Sequence, residues 1–399
     1  MRPGARFALR GMRGACEAGK VGKDGQGKCR QDAHGAQSAQ RESGLRAAQA
    51  KRRAGRAGCG RDNAAMTLKL SILDQSPVIS GSSPAQAIQA TLALARRADA
   101  LGYERYWLAE HHAIAALADP CPEVLLARLG AETRRLRVGT GGVLLPYYSA
   151  FKVAEVFRML EALYPGRVDL GIGRAPGGDQ RTAHAVAGGQ FPSADDFPQR
   201  VWELVGHLDG TLPDDHLHKR VRVQPGGDGA PQVWLLGSSD FSGALAAQLG
   251  LRFAFAHFIN ARGGDAVSHA YRAQFQPSAR ENTPAAIVCV FAICAESDAE
   301  AERLAAAIDL RRLHMALNVD GPVPTLAEAE RHAYTEEERR YVLSQRDRAI
   351  IGGPEKCRRE ITALAERYGA DEVMLLTITG DYASRERSYE LLAREFGLA

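Results

Sequence analysis

The chain has 399 residues, of which 45% are hydrophobic and 25% are charged. No apolar run reaches the roughly 18 residues that a membrane-spanning helix needs, so the sequence excludes a transmembrane protein. The seven cysteines show no close pairing and no Cys-x-x-Cys spacing, which argues against a disulfide scaffold and against a zinc finger.

The net positive charge of the chain comes from its first 65 residues. They carry 15 Lys/Arg against 5 Asp/Glu, whereas the rest of the chain carries 36 against 42. Because large apolar side chains are scarce there, we predict that 1–65 is a disordered basic extension and that 66–399 is the folded domain. An upstream extension of the reading frame before Met66, a transit-like peptide and a nucleic-acid-binding arm remain open as its origin. We favour the first, and expect a cytoplasmic protein that binds neither nucleic acid nor membrane.

Strands and helices are predicted to alternate from Met66 onwards. Short apolar runs predict strands at 68–74, 106–109, 137–145, 167–171, 233–236, 253–256, 287–294 and 372–377. Helical spacing predicts helices at 85–102, 122–134, 153–164, 243–249, 299–317 and 355–368. Most of the strands are apolar on both faces, as in a parallel sheet that is covered by helices.

An open doubly wound sheet and a closed barrel both fit this alternation. A dinucleotide-binding unit needs Gly-x-Gly-x-x-Gly after its first strand, but Asp74-Gln75-Ser76-Pro77 follows instead. Polar and glycine-rich motifs follow several different strands, as the active sites of barrels require. We therefore predict an α/β fold of the TIM-type (β/α)8 barrel class with insertions.

The first of these motifs is Glu110-His111-His112, after the second strand. A carboxylate and two imidazoles there can supply a general base, a hydrogen-bonding clamp or a metal site. Adjacent side chains on an extended segment point to opposite sides, and the other nine histidines form no obvious ligand set. We predict a functional polar cluster without a metal, while a structural hydrogen-bonding role remains open.

The next two motifs are rich in glycine. Gly141 and Gly142 interrupt an apolar strand, which indicates either close approach of a ligand to bare backbone or a bend of the barrel. Arg174 follows Gly171-Ile172-Gly173 at the end of the next strand, where a guanidinium can bind phosphate or carboxylate.

The fourth motif is a strand that ends in Gly237-Ser238-Ser239 before a helix that contains Ser242. The free N–H groups and the dipole of a helix N-terminus favour a phosphate, and the serine hydroxyls add donors. Ordinary N-capping by a serine is the alternative interpretation.

Together these motifs resemble the bacterial luciferase-like, flavin-dependent monooxygenases, in particular their luciferase-like oxidoreductase subgroup. The resemblance is carried by WLAEHH (107–112), VGTGGVLLP (138–146), VAEVFRMLEALYPGRVDLGIGRAPGGD (153–179) and WLLGSSDFSGALAAQLGL (234–251). It extends from about Leu68 to the C-terminus.

The resemblance implies a barrel that holds FMN at the carboxyl-terminal ends of its strands. His111 matches the family's active-site histidine, and a non-proline cis peptide is expected at Gly141–Gly142. The implied cofactor-binding residues are Glu110 beside the flavin, Gly141 and Gly142 beneath its ring, and Arg174, Gly237, Ser238, Ser239 and Ser242 at its phosphate.

The function that the resemblance implies is oxygenation of a small organic substrate by O2 and reduced FMN. A flavin reductase is the expected partner, and the family resemblance favours a homodimer. A deazaflavin-dependent reductase and a non-catalytic flavin-binding protein are alternatives. Ser238 stands where luciferase has a carboxylate, so a long aldehyde substrate and light emission are not predicted. Segments 175–192 and 318–347 are candidate lids. His257 is expected either at the cavity mouth or in a core or interface position.

Overall fold

The structure is a computed structural model that describes residues 68–174, 178–190, 193 and 195–398. The predicted basic extension 1–65 lies outside the described residues. Its disorder and the domain boundary after it therefore stay predictions.

The strands of the described chain form one parallel sheet. In chain order they are β1 (Lys69–Asp74), β2 (Arg105–Leu108), β3 (Arg137–Thr140), β4 (Val143–Leu144), β5 (Val168–Gly173), β6 (Gln232–Gly237), β7 (Arg252–Ala256), β8 (Ala286–Cys294), β9 (Ala349–Gly352) and β10 (Glu372–Leu376).

Eight of these strands close into a barrel in the order β1-β2-β3-β5-β6-β7-β8-β10, and β10 pairs back onto β1. Every pairing is parallel, with β4 beside the end of β5 and β9 beside the end of β8. The predicted TIM-type barrel is confirmed. The glycine-interrupted strand predicted at 137–145 is divided into β3 and β4.

Helices connect the strands and cover the outside of the barrel. They are α1 (Pro84–Leu101), α2 (Pro122–Glu132), α3 (Ala150–Leu163), α4 (Gln180–Val186), α5 (Phe197–Asp209), α6 (Asp240–Leu249), α7 (Gly264–Gln274), α8 (Asp298–Ala316), α9 (Leu326–Arg331), α10 (Glu336–Ser344), α11 (Pro354–Tyr368) and α12 (Tyr382–Glu395). None of these helices is both long and apolar enough to cross a lipid bilayer.

Local sequence explains the limits of α1. Ser83 and Gln86 form a reciprocal capping box at its start, and Pro84 occupies its first turn, where no N–H is needed. Gly102 ends the helix in the left-handed conformation, at φ 85°, which glycine adopts without steric cost. Most of its buried residues, among them Leu94 and Ala98, belong to the main core between helices and strands.

A buried ion-pair network closes the amino-terminal end of the barrel. Arg105 donates two hydrogen bonds to Glu372, at 2.6 and 3.0 Å, and one to Asp169, at 2.6 Å. Arg137 donates to the other oxygen of Asp169 at 2.6 Å, and the hydroxyl of Ser71 donates to Glu372. These residues come from β1, β2, β3, β5 and β10, so the network ties together five of the eight barrel strands.

An aromatic pair lies on this network inside the barrel. The rings of Trp107 and Trp234 meet edge to face at 5.5 Å, and the guanidinium of Arg105 lies 4.9 Å from the ring of Trp234. The indole N–H of Trp107 donates to Asp169 at 2.9 Å. The barrel interior is therefore filled, from an ionic layer at one end to an aromatic layer above it.

We expect Arg105→Met to lower the free energy of unfolding by about 3–5 kcal/mol, because Asp169 and Glu372 would lose the countercharge that compensates their burial. Denaturant-induced unfolding of the purified chain measures the change. The control is Arg128→Met on α2, an exposed arginine paired with Glu132, for which a loss below about 1 kcal/mol is expected. Equal losses in the two variants would contradict a stabilising role of the network.

Candidate active site

A cavity of about 230 Å³ lies at the carboxyl-terminal ends of the barrel strands. Residues within the strands form its apolar base, and they are Leu73, Trp107, Ala254, Cys289 and Met374. All nine residues that the sequence singles out for the site line this one cavity, namely Glu110, His111, Gly141, Gly142, Arg174, Gly237, Ser238, Ser239 and Ser242. The structure therefore brings together motifs that are more than 100 positions apart in the chain.

The topology explains this convergence. Each motif begins at or just after the last residue of a strand, at β2, β3, β5 and β6. Parallel strands in a closed barrel present their carboxyl ends to the same rim, so side chains that follow different strands meet there. Gln75, which follows β1, also lines the cavity, although the sequence analysis did not select it.

Arg174 and the start of α6 lie on the same side of the cavity. The guanidinium carbon of Arg174 is 4.3 Å from the centre of the Phe241 ring, which belongs to the first turn of α6. Within the described chain, Arg174 has no carboxylate partner. Ser239 occupies the N-cap position, but its side chain makes no capping hydrogen bond, so ordinary N-capping does not account for it. A free cation, a free hydroxyl and a helix N-terminus thus meet at one place.

The turn between β6 and α6 is compact. Ser242 is buried, and its hydroxyl lies so close to Gly237 that a Cβ at that position would overlap with it. The side-chain amide of Asn260 donates to the carbonyl oxygen of Ser238 at 3.1 Å, which fixes the turn from the β7 side. Gly237 therefore permits the close approach of helix and strand that places the serines at the cavity.

The peptide bond between Gly141 and Gly142 is cis, as the resemblance predicts. A Cβ on Gly142 would lie 2.7 Å from the carbonyl oxygen of Gly171, and one on Gly141 would lie 2.5 Å from a methyl carbon of Leu73. Both glycines line the cavity. This wall is backbone without side chains, and the packing of β5 requires glycine at 142 whether or not a ligand binds.

Glu110 lines the cavity, but its carboxylate is already occupied by groups of the protein. It accepts hydrogen bonds from the backbone N–H of Leu144 at 2.9 Å, the Tyr148 hydroxyl at 2.6 Å and His112 Nε2 at 2.7 Å. Burial, followed by the contact with Glu110, raises the pKa of Tyr148 far above its usual range, so its hydroxyl stays protonated and donates. The geometry shows Glu110 anchoring β4 and His112.

His111 differs from its neighbour His112. Its Nδ1 is buried and has no hydrogen-bond partner among the described residues, and its ring lines the cavity. Burial, helped by the adjacent His112, lowers the pKa of His111 from 6.5 to about 4. The imidazole is therefore neutral near pH 7, with an unused nitrogen. His112 is hydrogen-bonded to Glu110 and His111 is not, so the two adjacent imidazoles do not share a partner, as the alternation of side chains predicts.

Asp119 is a buried carboxyl group that sequence reasoning missed. Its carbonyl oxygen accepts the backbone N–H of His111 at 3.2 Å, and its Oδ1 accepts the N–H of Cys121 at 3.0 Å. Burial, together with the nearby charges of Asp74, Glu123 and Glu110, raises its pKa to about 7. Asp119 thus holds the backbone of His111 in place, and no local pattern marks it.

The remaining sequence expectations concern the rim. His257 is buried, its Nδ1 lies 2.8 Å from the Tyr368 hydroxyl on α11, and it does not line the cavity, so the core interpretation is the right one. No residue of 318–347, a segment that is described throughout, lines the cavity either. Within the other candidate lid, positions 175–177, 191, 192 and 194 lie outside the described residues.

Residues 66–372 match the family model described as luciferase-like monooxygenase. The chain belongs to the luciferase-like monooxygenase family.

Similar members of this family match along nearly their whole length. A luciferase-like monooxygenase of Escherichia coli (strain K12) is 40% identical over 326 residues, which cover 82% of this chain and 96% of the relative. The crystal structure of apo-MsnO8 is 41% identical, covers 83% of this chain and 99% of its own, and has a TM-score of 0.77.

A more distant structure shares the fold of the family. It is the oxygenating constituent of 3,6-diketocamphane monooxygenase from Pseudomonas putida, a type II Baeyer-Villiger monooxygenase solved in complex with FMN. It is 20% identical, covers 82% of this chain and 98% of its own, and has a TM-score of 0.60.

The depressed pKa of His111 predicts a pH dependence of stability. Between about pH 6.5 and 4 the unfolded chain binds a proton at His111 that the folded chain does not, so the free energy of unfolding falls as the pH drops through this window. His111→Gln lacks this titrating group. Its free energy of unfolding relative to that of the wild type should therefore increase by about 2–3 kcal/mol when the pH is lowered from 7 to 4. Urea unfolding at each pH measures this, and a constant difference would contradict it.

Proposed function

We propose that the chain is an FMN-dependent monooxygenase that uses O2 and reduced flavin from a separate reductase to oxygenate a small organic substrate. The observation that carries the proposal is the guanidinium of Arg174 at the start of α6, in the same cavity as His111 Nδ1; among the described residues neither group has a hydrogen-bonding or ionic partner. Membership of the family supports the reaction class.

The phosphate of FMN fits the Arg174 side of the cavity. A dianionic phosphate needs a fixed countercharge and several donors, which a guanidinium and a helix N-terminus supply together. The hydroxyl of Ser239 is free of any capping bond, and Ser242 lines the same wall. The guanidinium is half-buried and lines the cavity, so it can reach an anionic ligand there.

The flavin ring fits another part of the same cavity. Gly141 and Gly142 present backbone without side chains, against which a planar ring can lie. Beneath it, Leu73, Trp107 and Met374 give an apolar base that excludes water. When bound, reduced flavin supplies the electrons that activate O2, and exclusion of water protects that chemistry from side reactions.

His111 is positioned to hold or to transfer a proton at Nδ1. Its neutral imidazole can accept a proton or donate a hydrogen bond, depending on the tautomer. An anionic cofactor close to the ring would raise the pKa of His111 towards neutrality, so binding itself would prepare the group for proton transfer. The backbone contact with Asp119 keeps the ring at the cavity.

Arg174→Ala should weaken FMN binding about 10–100-fold and change riboflavin binding less than about twofold, because only FMN carries the phosphate that the guanidinium would bind. Quenching of flavin fluorescence measures both affinities. Arg331→Ala, on an exposed part of α9, serves as the control and should leave both affinities unchanged. Equal losses for FMN and riboflavin would show that Arg174 does not hold the phosphate.

His111→Ala should keep FMN affinity near that of the wild type but slow substrate-dependent O2 consumption about 100-fold or more, because it removes the proton-transfer group and not the anchor. The assay couples a flavin reductase to the protein and screens a panel of organic substrates. His314→Ala, a histidine of α8 outside the cavity, is the control.

Three outcomes would contradict the proposal. Wild-type protein that consumes no additional O2 with any substrate class would point to a flavin carrier. Tighter binding of a deazaflavin than of FMN would favour the reductase alternative. Full activity of His111→Ala would remove the role assigned to its Nδ1.

A further inference from the structure

A second group of polar side chains lies away from the cavity. Glu203 and His207 are one turn apart on α5, and His218 belongs to the segment that follows this helix. One potential ligand atom from each lies within 4.8 Å of the other two. None of the three lines the cavity. No ligand set is evident in the sequence among the histidines other than His111 and His112, and the structure brings two of these histidines together with Glu203.

His207 makes the group unusual. It is only 5% exposed, and its Nε2 is buried without a hydrogen-bond partner in the described chain. A buried polar atom without a partner costs about 1–3 kcal/mol, so a ligand at this nitrogen would be stabilising. Burial lowers the pKa of His207, which keeps the imidazole neutral, and the neutral ring is the form that binds metals.

Hydrogen bonding alone leaves the group incomplete. Glu203 Oε1 lies 3.0 Å from His218 Nδ1 and 3.5 Å from His216 Nε2. The two more exposed histidines therefore each have a polar partner in Glu203. No bond within the described chain reaches the buried Nε2 of His207. A cation between Glu203, His207 and His218 would satisfy all three side chains at once.

We propose that Glu203, His207 and His218 bind one Zn²⁺ ion. Two imidazoles and one carboxylate form a ligand set that suits zinc, with water completing a tetrahedron. Ligand atoms about 2.0–2.1 Å from zinc are about 3.3 Å apart in that geometry, so any spacing in this group that is wider, up to the present limit of 4.8 Å, would have to contract. His218 is the ligand that can move, because its side chain is 45% exposed and it lies outside the helix.

His216 is not one of the proposed ligands, but it contacts two of them. Its Nδ1 accepts the backbone N–H of His218 at 3.2 Å, which places the hydrogen on Nε2 and directs it at Glu203. Contacts of this kind orient the groups that bind a metal. The bound ion would join the segment after α5 to the helix itself, a structural role that is independent of the proposed oxygenase chemistry.

The experiment is calorimetric titration of ZnCl2 into the full chain, after removal of any affinity tag and of metals by chelation. We expect one zinc per chain in wild type at this site, and at least 100-fold weaker binding in His207→Ala, His218→Ala and Glu203→Gln. His269→Ala, an exposed histidine on α7, should bind like wild type.

Two results would overturn the proposal. One is wild-type protein that takes up no zinc at micromolar concentration, and the other is equal binding by wild type and all three ligand variants, as cysteines elsewhere in the chain would produce. His218→Ala keeps the test valid if replacement of the buried His207 unfolds the chain, since His218 is largely solvent-facing.

Discussion

The guanidinium of Arg105 is held between Glu372 and Asp169, and this contact closes the barrel at the end opposite the cavity. Charges so deeply buried are tolerated only when every one of them is paired, and here Arg137 and Ser71 complete the pairing. Trp107 is hydrogen-bonded to the same Asp169. The base of the cavity is therefore attached to the ionic layer below it, and the rim can vary without disturbing this support.

The polar groups of the barrel are of two kinds: those that are hydrogen-bonded within the protein, and those that are available to a ligand. Both carboxylate oxygens of Glu110 accept hydrogen bonds from groups of the protein, and so do both oxygens of Asp169 at the other end of the barrel. These two carboxylates therefore stabilise the structure. Among the residues that the structure describes, Arg174, Ser239 and the Nδ1 of His111 lack such bonds. Of these groups the buried Nδ1 of His111 is unpaired at a cost, which a ligand that pairs it offsets.

Local patterns predicted much of this fold because apolar strands such as β8 and capped helices such as α1 are encoded by neighbouring residues. The rim positions followed from the same patterns, since each motif adjoins a strand end. The helix α5, the strand β9 and the burial of Asp119 were missed, because they depend on packing across the chain. Because α5 was not predicted, it could not be recognised that Glu203 and His207 lie one helical turn apart, or that the His-x-His segment at 216–218 lies beside them.

The edge-to-face pair of Trp107 and Trp234 has an optical consequence. The chain contains only three tryptophans, and these two lie in and beneath the base of the cavity. The third, Trp202, packs 5.8 Å from His216 beside the histidine cluster. Tryptophan emission from this protein thus arises from two neighbourhoods, and a coloured molecule in the barrel would take up light most directly from the pair in contact with the cavity.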